Sequence, residues 1–166
     1  MANKKYDGCL ICTDYDGTLY YNGVHPDNIE AINEFMANGG KFTLATGRAN
    51  YEVREKDLPV IPNAPMLCMI GARIWDFREK RSLGDFTMNG SEADAVRAVC
   101  RYLRDESPVK LDDASMYCGE KSYIFHNHSD ADAEEGIRLL KGAYKIVFWL
   151  KERYTPEMYD AVQRIC

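Results

Sequence analysis

The 166-residue chain has no apolar run near the roughly 20 residues that a membrane-spanning helix requires, so no contact with a membrane interior is expected. It has no surplus of positive charge: 21 Lys and Arg stand against 26 Asp and Glu, a net charge of −5. That balance argues against a general nucleic-acid binder, whose affinity comes from cations neutralising phosphates. A second cysteine pair at metal spacing is also missing. Cys9 and Cys12 form a lone Cys-x-x-Cys on a segment that reads as a strand, where positions three apart point to opposite faces, and a zinc site needs four ligands. The six cysteines are therefore read as core-filling thiols of a protein kept in the reducing cytoplasm. There are no internal repeats and no low-complexity segments. The opening Met1–Ala2–Asn3–Lys4–Lys5 carries two cations, but the apolar stretch behind it is short and soon meets Asp14 and Asp16, unlike a secretory signal. What remains is a globular composition, 46% apolar and 28% charged, with material for one domain or one and a half small ones.

Hydrophobic patterning divides the chain into alternating elements. Gly8 to Thr13 is a nearly continuous apolar run that stops at an acidic turn, the pattern of a strand buried on both faces in a parallel sheet. Pro26 suits the first turn of a helix, and Asp27 and Glu30 suit its positive end. Ile29, Ile32, Phe35 and Met36 recur at helical spacing until Asn38–Gly39–Gly40 stops the helix. Lys41 to Thr46 reads as a second strand, a weaker helical stretch runs up to Leu58, and Met66 to Ile70 reads as a third buried strand. Strand, helix, strand, helix, strand is the opening of a doubly wound α/β sheet.

Beyond Gly71 the pattern becomes α+β. A hairpin is expected from Arg73–Phe77 and Ser82–Phe86 about the charged turn Arg78–Arg81. Ser91 and Asp94 suggest a capping box before an amphipathic helix, and strand-like pieces lie around Met116–Cys118 and Ser122–His128. A polar helix near Ala131–Leu140, a strand Lys145–Leu150 and a last helix from Thr155 complete the chain. The domain boundary is placed between residues 71 and 86, dividing the chain into 1–78 and 79–166. The last helix reaches Cys166 without a stop signal, so a cut within a larger polypeptide is expected.

The chemistry gathers at strand ends. Asp14 and Asp16 follow the first strand at the edge where open α/β sheets bind ligands, and residues i and i+2 of an extended segment project the same way. Paired carboxylates push their pKa values apart, one staying protonated as an acid while the other ionises. The second strand ends in Thr46–Gly47–Arg48, which brings a hydroxyl, a flexible amide and a guanidinium, all phosphate-binding groups. Acids beside phosphate ligands suggest a divalent metal and an aspartyl nucleophile.

Asp14–Tyr15–Asp16–Gly17–Thr18–Leu19 resembles the first motif of the haloacid dehalogenase (HAD) superfamily, and Ala45–Thr46–Gly47–Arg48 its second. Met66–Ala72 followed by Arg73–Phe77 resembles the third strand and the entry into the inserted α+β cap domain of its Cof-like sugar-phosphatase branch. The resemblance implies a partial doubly wound, Rossmann-like core sheet over 1–78 and an incomplete cap over 79–166. It implies a Mg²⁺-dependent phosphatase of a small phosphate ester, sugar-phosphate-like. Asp14 would attack phosphorus and bind Mg²⁺; Asp16 would protonate the leaving alcohol, activate water and ligate the metal through its backbone carbonyl. Thr46 and Gly47 would hold the phosphoryl group, with Arg48 near the substrate entrance.

Two departures accompany it. Ile70–Gly71–Ala72 stands where the family commonly has Asn-Gly-Ala, and nothing after Lys145 matches the family's later lysine and acidic cluster. The resemblance implies a central first strand with later strands on its other side, so a chain ending at Cys166 is expected to leave Leu10–Ile11–Cys12 as a bare apolar edge, completed by a missing segment or a companion chain. A catalytically inactive remnant that binds phosphate or a partner is the alternative. A signalling receiver, which carries its phosphorylated aspartate after the third strand, is disfavoured by Ile70–Gly71. His126 and His128 share a strand face and are read as solvent-facing cap residues rather than metal ligands. His25 is read as a helix-entry residue, and Trp75 and Trp149 mainly as packing.

Overall fold

The computed structural model describes residues 4–53 and 58–166, which form two compact units, Met1–Phe86 and Thr87–Cys166. The hairpin strands extend the sheet of the first unit.

That sheet contains β1 (Leu10–Asp14), β2 (Lys41–Ala45), β3 (Met66–Cys68), β4 (Arg73–Asp76) and β5 (Arg81–Asp85) in that spatial order. The first three strands are parallel and the last two pairings antiparallel, the mixed sheet of an α/β Rossmann-like core. In β2, Phe42, Thr43 and Leu44 are all buried, as a central strand demands. The β1 segment departs from the expectation of burial on both faces: Leu10 is 61% and Ile11 43% exposed. Its composition is that of a buried strand, but it lies at the sheet edge, with β2 as its one strand partner among the described residues. The expected bare apolar edge is therefore present.

Helix α1 (Pro26–Ala37) begins as its sequence predicts. Pro26 fills the first turn and His25 caps it, its Nδ1 accepting the Asp27 N–H at 3.3 Å. Behind the helix the chain must pass Phe35. A Cβ on Gly40 would meet the Phe35 ring at 2.3 Å, so only glycine fits between helix and β2. Gly40→Ala is expected to destabilise the protein by about 1–3 kcal/mol through overpacking, read as a lowered thermal midpoint.

The third strand is shorter than expected. It stops at Cys68 and passes into a 3₁₀ turn, Met69–Gly71. The helical stretch expected up to Leu58 begins only as a 3₁₀ turn, Asn50–Glu52, and its 54–57 part lies outside the described residues.

The second unit is α+β. Its antiparallel sheet has the order β7 (Lys121–Phe125), β6 (Leu111–Cys118), β8 (Ala143–Leu150). Helix α2 (Ala93–Arg101) continues into a π-helical turn over Tyr102–Glu106, followed in the chain by α3 (Asp130–Ile137) and α4 (Pro156–Ile165). Val96 and Cys100 of α2 and Ala133 and Ile137 of α3 pack with Ala114, Met116 and Phe125, so these helices cover one sheet face. Ser129 and Thr155 cap α3 and α4, accepting the N–H groups of Asp132 and Met158. The expected capping box does not form at α2. Its cap residue is Glu92, which makes no side-chain cap bond, and the Ser91 N–H is held by Asn89.

Cys68 and Cys100 are buried, and burial pushes their thiols up to about 12 and about 11. Cys9, Cys12 and Cys166 are exposed, against the expectation of core-filling thiols; the first two emerge because β1 is an edge. The His126 Nδ1 lies 2.8 Å from an Asp113 carboxylate oxygen, and its ring stacks on His128 at 5.5 Å. Among the described residues no three His, Cys, Asp or Glu side chains gather into a cation site, and no helix is long and apolar enough to cross a membrane.

Candidate active site

Parallel pairing decides what meets at the carboxyl edge of the first sheet. Asp14, the last residue of β1, pairs with Ala45, the last of β2. Ala45 in turn pairs with Leu67 of β3. Asp14, Thr46 and Met69 thus end adjacent strands on one rim. Strand alternation continues one residue beyond β1: Tyr15 is buried, while Asp14 and Asp16 on either side of it are exposed, the i, i+2 arrangement the spacing predicts.

A tight loop brings the chain back across this rim. Gly17 turns it at φ 75°, a value that favours glycine. The Gly17 N–H donates to the Tyr20 carbonyl at 2.9 Å, and the Tyr20 N–H donates to the Tyr15 carbonyl at 2.8 Å. The fold-back sets the Thr18 hydroxyl 3.1 Å from Oδ2 of Asp14, to which it donates. It also stacks Tyr20 on Tyr15, with centroids 5.3 Å apart.

Thr46 is buried, and its Oγ1 accepts the Arg48 N–H at 3.1 Å. Because a hydroxyl has one proton to give and that bond uses only a lone pair, the Thr46 O–H stays available as a donor. The Arg48 guanidinium grips Asp16 in a bidentate pair, Nε to Oδ2 at 2.8 Å and Nη2 to Oδ1 at 2.6 Å. It also lies 5.2 Å from the Tyr15 ring centroid. Hydrogen bonding to Asp16 raises the Arg48 pKa further above its already high ordinary value, so the guanidinium stays charged.

All five residues singled out in the sequence lie at this rim: Asp14 at the end of β1, and Asp16, Thr46, Gly47 and Arg48 in the two loops that follow β1 and β2. Sequence reasoning did not find the Arg48–Asp16 pair, because bidentate geometry depends on how two loops meet. It also missed the role of Tyr15, although its position between two acids in an extended segment already aims it the opposite way. Arg73 was missed as well. It is 6% exposed and donates to Asp85 at 2.7 Å and Asn50 at 2.8 Å, tying the loop after β2 to the hairpin. Concavity alone would have pointed elsewhere. An apolar cavity of 620 Å³ lies in the second unit among Met88, Val99, Phe148, Tyr154 and Val162, and it lacks paired acids.

The donor chemistry of the rim fits a hard divalent cation. Mg²⁺ takes oxygen ligands, commonly one or two protein carboxylates with water and substrate phosphate completing the shell. Asp14 is exposed, and Asp16 offers a second acidic residue two positions on, so these two fit as ligands while falling short of a full shell.

Residues 11–163 match the haloacid dehalogenase-like hydrolase family. A Mycoplasma pneumoniae protein provisionally named a phosphatase is 32% identical over 98 residues, 54% of this chain and 34% of that relative. The fold is similar to that of a haloacid dehalogenase-like hydrolase from B. subtilis, with a TM-score of 0.61 at 16% identity over 93% of this chain and 65% of that one. It is also similar to the HAD subclass IIB sugar phosphatase BT4131, with a TM-score of 0.53 at 16% identity over 93% of this chain and 55% of that one. The chain thus spans between about a third and two thirds of the length of these relatives.

Proposed function

Since this chain belongs to the haloacid dehalogenase-like hydrolase family, we propose that it carries the nucleophile and acid of a Mg²⁺-dependent phosphatase acting on a small phosphate ester, sugar-phosphate-like. The observation that supports this most is the parallel register setting Asp14 beside the Thr46 loop, an anionic nucleophile next to phosphate donors. In this reading residues 1–78 are the N-terminal part of the core and residues 79–166 part of the cap domain. The free cysteines accord with a cytoplasmic setting.

Asp14 attacks phosphorus as the bond from phosphorus to the alcohol oxygen breaks, giving an aspartyl phosphate. Asp16, protonated, passes its proton to the departing oxygen. Its carboxylate then takes a proton from water as that water attacks phosphorus, releasing phosphate and restoring Asp14. The Thr18 hydroxyl orients the nucleophile, and Thr46 and the Gly47 amide donate to phosphoryl oxygens. Mg²⁺, held by Asp14 and the Asp16 backbone carbonyl, supplies charge neutralisation when bound. Because a guanidinium binds phosphate and carboxylate with the same fork, an arriving phosphate dianion competes for Arg48 and frees the Asp16 side chain to reach the leaving oxygen. The remaining counter-charge and metal ligands come from a further segment or companion chain, which also pairs with the open edge of β1.

Phosphate release from p-nitrophenyl phosphate tests the reading. The intact protein is expected to turn it over with Mg²⁺, stop in EDTA and resume when Mg²⁺ is restored. No turnover across a broad panel of phosphate esters overturns the proposal. Calorimetric binding of a phosphate analogue without hydrolysis instead supports the inactive remnant.

A further inference from the structure

The turn that ends β3 holds three consecutive residues in the left-handed region: Met69 at φ 52°, Ile70 at φ 61° and Gly71 at φ 86°. Glycine adopts this conformation freely. A β-branched residue does not, because its Cβ crowds the backbone. Met69 offsets the conformation by burying its side chain almost completely, at 1% exposure. Ile70 has no such return, since it is 80% exposed. A single exposed isoleucine would be ordinary, but one held in a disfavoured backbone conformation and contributing nothing to the core is not.

The turn is held against the candidate phosphate loop. The Ile70 N–H donates to the Thr46 carbonyl at 3.2 Å, and the Met69 N–H donates to the Arg48 carbonyl at 2.9 Å. These bonds set the Ile70 side chain beside Gly47: a Cβ built on Gly47 would lie 3.9 Å from Ile70 Cγ1. Asparagine or glycine would satisfy the same backbone at lower strain. The isoleucine side chain is therefore the part that the fold does not require, and strain of this kind persists where a site uses it.

We propose that Ile70 is a specificity-determining residue of this site, an apolar wall against which the alcohol portion of the phosphate ester packs. It selects esters that present a C–H surface there over those that present a hydroxyl, because a hydroxyl set against the isoleucine would lose its water without gaining a partner. The inference rests on the phosphatase reading for the position of phosphorus, but its test is made by binding and does not depend on turnover.

Calorimetry with Mg²⁺ on the intact protein compares propylphosphonate with 2,3-dihydroxypropylphosphonate, which differ only in two hydroxyls. The wild type is expected to bind the propyl compound about tenfold more tightly, the scale of a small apolar contact. In Ile70→Gly that preference falls to within about twofold while the thermal midpoint holds or rises as strain is relieved. Ile70→Leu retains it. An unchanged preference in Ile70→Gly, or equal binding of the two compounds by the wild type, overturns the inference whatever the activity. Retained preference without hydrolysis of any ester overturns the catalytic reading alone, and binding of neither compound overturns both.

Discussion

Asp14→Asn is expected to abolish phosphate release by the intact protein, lowering kcat by about 10⁴-fold or more, the scale seen when a catalytic nucleophile is removed. The substitution is nearly isosteric. An amide oxygen still accepts the 3.1 Å bond from Thr18, and Asp14 is exposed, so no buried charge is left unpaired and the fold has no reason to change. What disappears is the anionic oxygen that would attack phosphorus, together with one oxygen ligand of charge suited to Mg²⁺. A malachite-green assay alongside a thermal melt separates the two effects. Loss of release with an unchanged midpoint is the expected result. Residual turnover within tenfold of wild type would remove Asp14 from the chemistry.

Asp16→Asn is expected to act selectively. For an ester of an ordinary alcohol, whose alkoxide leaves poorly, loss of the proton donor costs about 10²- to 10⁴-fold in rate. p-Nitrophenolate leaves without a proton, so the first half of that reaction should survive. The second half, attack of water on the aspartyl phosphate, lacks its base. A stopped-flow trace should therefore show a burst of about one nitrophenolate per site followed by slow turnover. Arg48 sharpens the expectation. It holds both Asp16 oxygens at 2.6–2.8 Å, so neither oxygen can reach a departing alcohol until Arg48 releases the fork. Equal slowing of alkyl and aryl esters, with no burst, would assign Asp16 to binding instead of proton transfer.

Much of the site was legible because its order along the chain is also its order in space. Parallel strands joined by crossovers put successive strand ends on one rim, so the residues at the ends of the strands read at Gly8–Thr13 and Lys41–Thr46 could be picked out before any coordinates. Helix α1 was legible for a local reason: Pro26 and the Asn38–Gly39–Gly40 stop act within a turn of their own position. At Ser91 the same local logic failed, since Glu92 took the cap position and Asn89 captured the serine's N–H.

Other features depend on distant parts of the chain meeting. The Arg48–Asp16 fork joins residues 32 apart, and the Arg73–Asn50 bond joins residues 23 apart. Neither spacing leaves a periodic trace. The exposure of β1 was also invisible in its composition, because hydrophobicity reports the environment a strand is suited to, not the number of neighbours it finds.

Residue order and hydrophobic period were thus enough for the α/β class and for picking out the five candidate site residues at the strand ends, since each follows from contacts within a few positions or from a rule of chain connection. Which acid accepts a hydroxyl and which is gripped by an arginine, where the two units divide, and why an isoleucine stands in a left-handed turn beside Gly47 followed only from three-dimensional packing. These depend on side chains and loops that are distant in the chain and adjacent in space.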